Sequence, residues 1–215
     1  MTYLELVNGV LTRLREDSIS TLAGEDDVVA ILVADLVNDA KNKVETAHNW
    51  SALRAEWPVT TTAGTALYTL TDSRDITFLE SVTDDNGRAV REMQNKELRS
   101  RARARPAEAK PEWYAVSGAD IAGDKQVTLH PTPNAAYDLY FDGHKKQPNL
   151  KLDNDILLVP SQPVMYLAYA LAVRERGEVG GQTAGEIFQM AAGYLSDAIA
   201  RDAELNYLDD IWQVS

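Results

Sequence analysis

Chemistry in this sequence would have to come from a small set of side chains. Asp142-Gly143-His144 brings two potential metal ligands together, with His130 a distant third. Metal centres show tighter ligand spacing than this, so no metal is expected. His48, the remaining histidine, stands beside Asn49 and Trp50 near a predicted helix end, where packing or capping is its role. There is no cysteine, which excludes thiolate metal sites, disulfides and a cysteine nucleophile. The G-x-S-x-G, Walker-type, H-E-x-x-H and G-x-G-x-x-G signatures are absent. Gly177, Gly180 and Gly181 precede a predicted helix as in a phosphate loop. They lack its lysine, and Glu175 and Glu178 would repel phosphate, so an inter-helix loop is expected. Asp84-Asp85 and Asp153/Asp155 read as turn formers. No catalytic residues and no cofactor are expected, and the chain reads as a non-enzyme.

Charge is the more informative signal. The 215 residues carry 33 acidic and 21 basic side chains, a net charge of −12. Such a chain is poorly suited to wrap DNA or to lie on an anionic membrane. Yet residues 88–110 hold eight basic and three acidic residues, a local +5 that leaves −17 on the remainder. At its centre stand Arg99, Arg101, Arg103 and Arg105. Arginine at every second position faces one way in a strand and spreads over more than half the circumference of a helix. Neither arrangement suits a core. A solvated loop, a docking surface for an acidic partner (another copy of this chain included) and a phosphate-binding patch remain open. The segment from Arg99 to Arg105 has no aromatic residue on which bases could stack.

The elements that must position these residues follow from hydrophobic periodicity. Residues 1–56 read as two helices. Leu4, Val7, Leu11 and Leu14 line one face of the first. Val28, Ile31, Leu32, Leu36 and Val44 line the second, with Asp35, Asn38, Asp39, Lys41 and Lys43 off that stripe and Glu25, Asp26 and Asp27 in its first turn. Residues 57–158 read as a small antiparallel β-rich module. A hairpin is expected from Val59–Thr62 and Ala66–Leu70, followed by strands at Ile76–Val82, Arg88–Met93, Glu112–Val116, Gln126–His130 and Tyr137–Asp142. Residues 159–205 return to helix. Pro163 is expected at a first helical position, Gly177 as a stop, and Thr183 with Glu186 as a capping box. The tail 206–215 has no period but carries Tyr207, Ile211 and Trp212. Four amphipathic helices bury their faces most readily against one another. The predicted fold class is therefore α+β, a helical bundle formed by both chain ends with the β-module inserted. No signal peptide is expected, and no run approaches the ~18 apolar residues of a membrane helix.

This order, in an acidic and cysteine-free chain, resembles the head-to-tail adaptors of tailed bacteriophages, the tail tubular protein A group in particular. The strings that carry the likeness are Leu36 to Glu45 followed by Trp50, Asp155 to Val164 leading into Leu167 to Gly177, and Tyr194 to Ala198. The resemblance implies a structural virion protein of the phage neck, made in the host cytoplasm. It implies a ring, typically of twelve copies, that binds the portal above and the tail tube or nozzle below while DNA passes through. A closed ring joins unlike faces of successive copies. The arginine strip on an otherwise acidic chain would supply that polarity, and an acidic lumen would hold few phosphates. Arg99, Arg101, Arg103, Arg105, Tyr207, Ile211 and Trp212 are the expected partner-binding residues, the last three on a tail that orders on a partner. A tail-completion or glycan-binding module is the alternative, its sugar-stacking candidates being Trp113, Tyr114, Tyr137 and Tyr140.

Overall fold

The computed structural model describes residues 1–176 and 182–211. Gly177, Gly180, Gly181 and Trp212 therefore lie outside the described residues. Among the described residues the fold is α+β, with five α-helices, one antiparallel sheet and one mixed sheet. The chain divides into two compact units, Arg54–Lys146 and the described parts of Met1–Leu53 with Gln147–Ser215.

The unit made from the chain ends contains α1 (Tyr3–Arg13), α2 (Val28–Ala47), α4 (Ser161–Glu175) and α5 (Gln182–Ile211). Thr2 opens α1 through a capping box, its hydroxyl accepting from the Glu5 amide and the Glu5 carboxylate accepting from the Thr2 amide. Helix α1 packs on α2 and α4, α2 packs on α4, and α4 packs on α5. Leu6, Val7, Val10, Leu11, Val33, Val37, Val44, Trp50, Val164 and Leu171 form the core.

Helix α2 departs from the expected face. Val28 is 77% exposed and Ile31 and Leu32 are also exposed, whereas Ala30, Val33, Val37 and Ala40 are buried. Val28–Ala34 is an unbroken apolar run, and no helix can turn seven consecutive residues to one side. Helical spacing puts Ala30, Val33 and Ala34 on the packed face and leaves Val28, Ile31 and Leu32 toward solvent. Asn38 and Lys41, expected toward solvent, are buried. Asp27 is the N-cap of α2, its carboxylate accepting from the Val29 amide at 3.0 Å, so Glu25 and Asp26 precede the helix instead of lying in its first turn.

Helix ends also shift. Pro163 is the third residue of α4, where a missing N–H still leaves no helical bond unmade. Helix α5 already includes Gln182, so Thr183 lies within it. It continues through Asn206 to Ile211, replacing the expected aperiodic tail over those residues. Gly193 is the last glycine or proline before Ile211, so no breaker residue interrupts the end of the helix.

The inserted unit carries seven short strands and α3 (Asn95–Ala104). Strands β1 (Arg54–Thr60), β7 (Asp138–Lys145) and β3 (Ile76–Asp84) form the antiparallel sheet in the order β1-β7-β3. The second sheet has the order β2-β6-β5-β4, from β2 (Leu67–Thr69), β6 (Lys125–His130), β5 (Trp113–Ala119) and β4 (Arg91–Glu92). The expected hairpin does not form. β1 pairs with β7 (Trp57 opposite Phe141) and β2 pairs with β6 (Tyr68 opposite Val127). The fourth strand is only two residues long and runs parallel to β5. Between β3 and β4, Asp84 accepts from the Asn86 and Arg88 amides, and Gly87 takes a φ of 72° that suits glycine. Trp57, Leu70, Val82, Tyr114, Val127, Leu129 and Phe141 fill the core, with Tyr114 edge-on to Phe141.

Candidate partner-binding surface

Helix α3 holds the arginine run. Leu98 is its one buried residue, packed with Met93, Ala115 and Trp113. Arg99, Arg101 and Arg103 on the helix, and Arg105 at its C-cap, are all exposed. Helical spacing splits the run. Arg99 and Arg103 share one exposed face of the helix with Lys96, flanked by Asn95, Ser100 and Ala104. Arg101 and Arg105 border a groove of about 550 Å³ together with Trp113, Glu112 and His130.

The eight cations of residues 88–110 have two kinds of surroundings. Four are engaged within the fold. Arg88 pairs with Glu112 at 3.4 Å. Arg101 pairs with Glu97 at 3.3 Å and lies 5.2 Å from the Trp113 ring centre, while Arg91 lies 5.7 Å from that ring. Lys110 meets Asp84 at 2.6 Å and Asp85 at 3.6 Å. Lys96, Arg99, Arg103 and Arg105 have no side-chain hydrogen bond or ion pair among the described residues. The alternating pattern of the sequence did not separate these groups, because the separation depends on which acids and rings the fold brings alongside.

Three ionisable groups reflect this environment. Burial opposes ionisation of Asp84, but the Lys110 ammonium and the Arg88 and Asn86 amides outweigh it and lower its pKa. Lys110 is raised in turn by its bond to Asp84. Burial, then the nearby Arg101 charge, lowers the His130 pKa against the opposing pull of Glu112.

The other candidates are dispersed. His130 ends β6 in the mixed sheet, whereas Asp142 and His144 lie on β7 in the antiparallel sheet. Asp142 accepts from the Ser81 hydroxyl at 3.2 Å, and His144 is buried. Among the described residues no group of three or more histidine or acidic side chains is placed to hold a metal ion. His48 caps the C-terminus of α2, sits edge-on to Trp50 and meets Asp202 at 3.1 Å. Of the sugar-stacking candidates, Tyr114 belongs to the core, where burial pushes its pKa up to about 12. The Tyr137 hydroxyl donates to Asn134 at 2.7 Å. Tyr207 and Ile211 lie on the last turns of α5, and their side chains are outside the described residues, as is Trp212 entirely.

One surface was missed by periodicity: the solvent-facing row Val28, Ile31, Leu32, Asp35 and Asp39 on α2. The seven-residue apolar run was the signal that could have revealed it. No helix among the described residues is long and apolar enough to cross a membrane. A family model described as SU10 adaptor protein matches residues 1–210. No curated protein matches the chain.

Proposed function

The chain belongs to the SU10 adaptor protein family, a family of structural phage adaptors, and from that premise we propose that it forms a ring joining the capsid portal to the tail tube or nozzle. The ring holds twelve copies, and DNA passes through its lumen without sequence-specific contact. The protein resides in the neck of the virion after synthesis in the host cytoplasm.

The observation that carries this reading is the set of unpaired cations on α3 and its C-cap, in a chain with net charge −12. A ring built head to tail needs two unlike faces on each copy. A cationic helix on an acidic protein gives one of them, and its counterpart lies on acidic surface elsewhere. In this reading Arg99, Arg101, Arg103 and Arg105 meet a partner, and Tyr207, Ile211 and Trp212 anchor the end of α5 on a neighbouring virion component. Arg101 contributes through the face it shares with Trp113, since its Glu97 pair is exposed and readily exchanged.

Native mass spectrometry of the full chain, alone and with the portal protein, tests the proposal. Twelve-fold particles or a stable portal complex are expected. A chain that stays monomeric at high concentration and binds neither portal nor tail components overturns it.

A further inference from the structure

We propose that the solvent-facing row of α2 is the surface that receives α3 of the next copy. This rests on the ring reading and names the two faces that close it. The row runs Val28, Ile31, Leu32, Asp35, Asp39, an apolar half followed by two carboxylates. Asp35 and Asp39 have no ion pair among the described residues. They stand one helical turn apart, about 6 Å along the axis. Arg99 and Arg103 on α3 are also one turn apart, exposed and unpaired. Two helices laid side by side can thus match carboxylate to guanidinium twice in the same register.

The apolar half supplies a second contact. Val28, Ile31 and Leu32 together leave more hydrocarbon in water than scattered surface residues do. With Asp35 opposite Arg103 and Asp39 opposite Arg99, the antiparallel setting brings Ile31 and Leu32 to the end of α3 beside Ala104, whose small side chain leaves room for them. Charge pairs set the register and apolar contact excludes water, as at other protein interfaces. The occupant is therefore a second copy of this chain. The two faces are unlike, so each copy uses both, one toward each neighbour.

Charge reversal in trans tests this. Two full-length variants are made, Asp35→Arg with Asp39→Arg, and Arg99→Asp with Arg103→Asp. The four positions are exposed, so folding is checked by circular dichroism and a matched melting temperature. Each variant alone is expected to lose association by at least about 100-fold, because like charges meet. An equimolar mixture is expected to regain it, with the two chains alternating around an even-numbered ring. Since the chain has no cysteine, Leu32→Cys mixed with Ala104→Cys gives a second readout, an intermolecular disulfide between the two variants on oxidation, made either in free rings or in rings assembled on the portal. Rings that form normally from each reversed variant, with no disulfide, overturn this inference and leave the ring reading intact. A wild-type chain monomeric alone and with portal overturns both. Duplex DNA binding abolished by Arg99→Asp with Arg103→Asp, while assembly persists, assigns this face of α3 to phosphate and also overturns the inference.

Discussion

Lys41 and Glu45 form an ion pair on successive turns of α2 with neither side chain exposed, the ammonium 3.1 Å from the carboxylate. Lys41 also donates to the Gln147 carbonyl at 2.7 Å and so ties α2 to the segment that leads toward α4. Removing one member of a buried pair of this kind is strongly destabilising, since the other charge stays buried with that ion pair gone. Lys41→Ala is expected to cost about 3–5 kcal/mol in urea denaturation. A loss under ~1 kcal/mol, the value of an exposed pair, would contradict the burial described.

The Asp84–Lys110 contact predicts acid sensitivity. The folded pKa of Asp84 is lowered, so its stabilisation is present above the unfolded carboxylate value, about 3.9, and is lost as pH falls through the folded value. Asp153 shifts in the same direction through the Thr21 hydroxyl and Leu22 amide, and Asp155 through the Leu152 and Lys151 amides. Lys110→Ala is expected to lower stability at pH 6 and to shrink the difference between pH 6 and pH 3. An unchanged difference would show that the Lys110 contact does not govern Asp84.

Gly9 and Met165 mark a close approach of α1 to α4. A Cβ on Gly9 would lie 2.9 Å from the Met165 sulfur. Gly9→Leu is expected to destabilise the protein by about 1–3 kcal/mol through overpacking. Pairing it with Met165→Ala should recover part of that loss in a double-mutant cycle. Strict additivity of the two changes would place the strain elsewhere.

Leu98 is the single buried anchor of α3. Leu98→Ala is expected to cost about 2–5 kcal/mol and to raise amide exchange across Asn95–Ala104 more than elsewhere in the chain. Association between copies should weaken with it, because both proposed contacts of Arg99 and Arg103 need the helix. Uniform exchange over the whole chain would mean that α3 does not open as a local unit.

Much of this protein is legible in its sequence, for local reasons. Leu4, Val7 and Leu11 set the period of α1, and the change at Trp57 to alternating and β-branched residues announces strands. The excess of acid with one basic segment is likewise a matter of counting. The tertiary structure decided what depends on distant partners. Val59 and Leu67 lie close in sequence, yet their strands pair with β7 and β6, because sheet register is set by whole faces and not by the nearest turn. Lys41 carries the same charge as Lys43, but packing buries the first against Glu45 and leaves the second in solvent. Arg88 and Arg99 are the same residue type, and only the presence of Glu112 beside one of them separates an engaged cation from an available one. Composition and periodicity fix what each segment can do alone. Burial and ion pairing are properties of neighbours, and the neighbours are chosen by the fold.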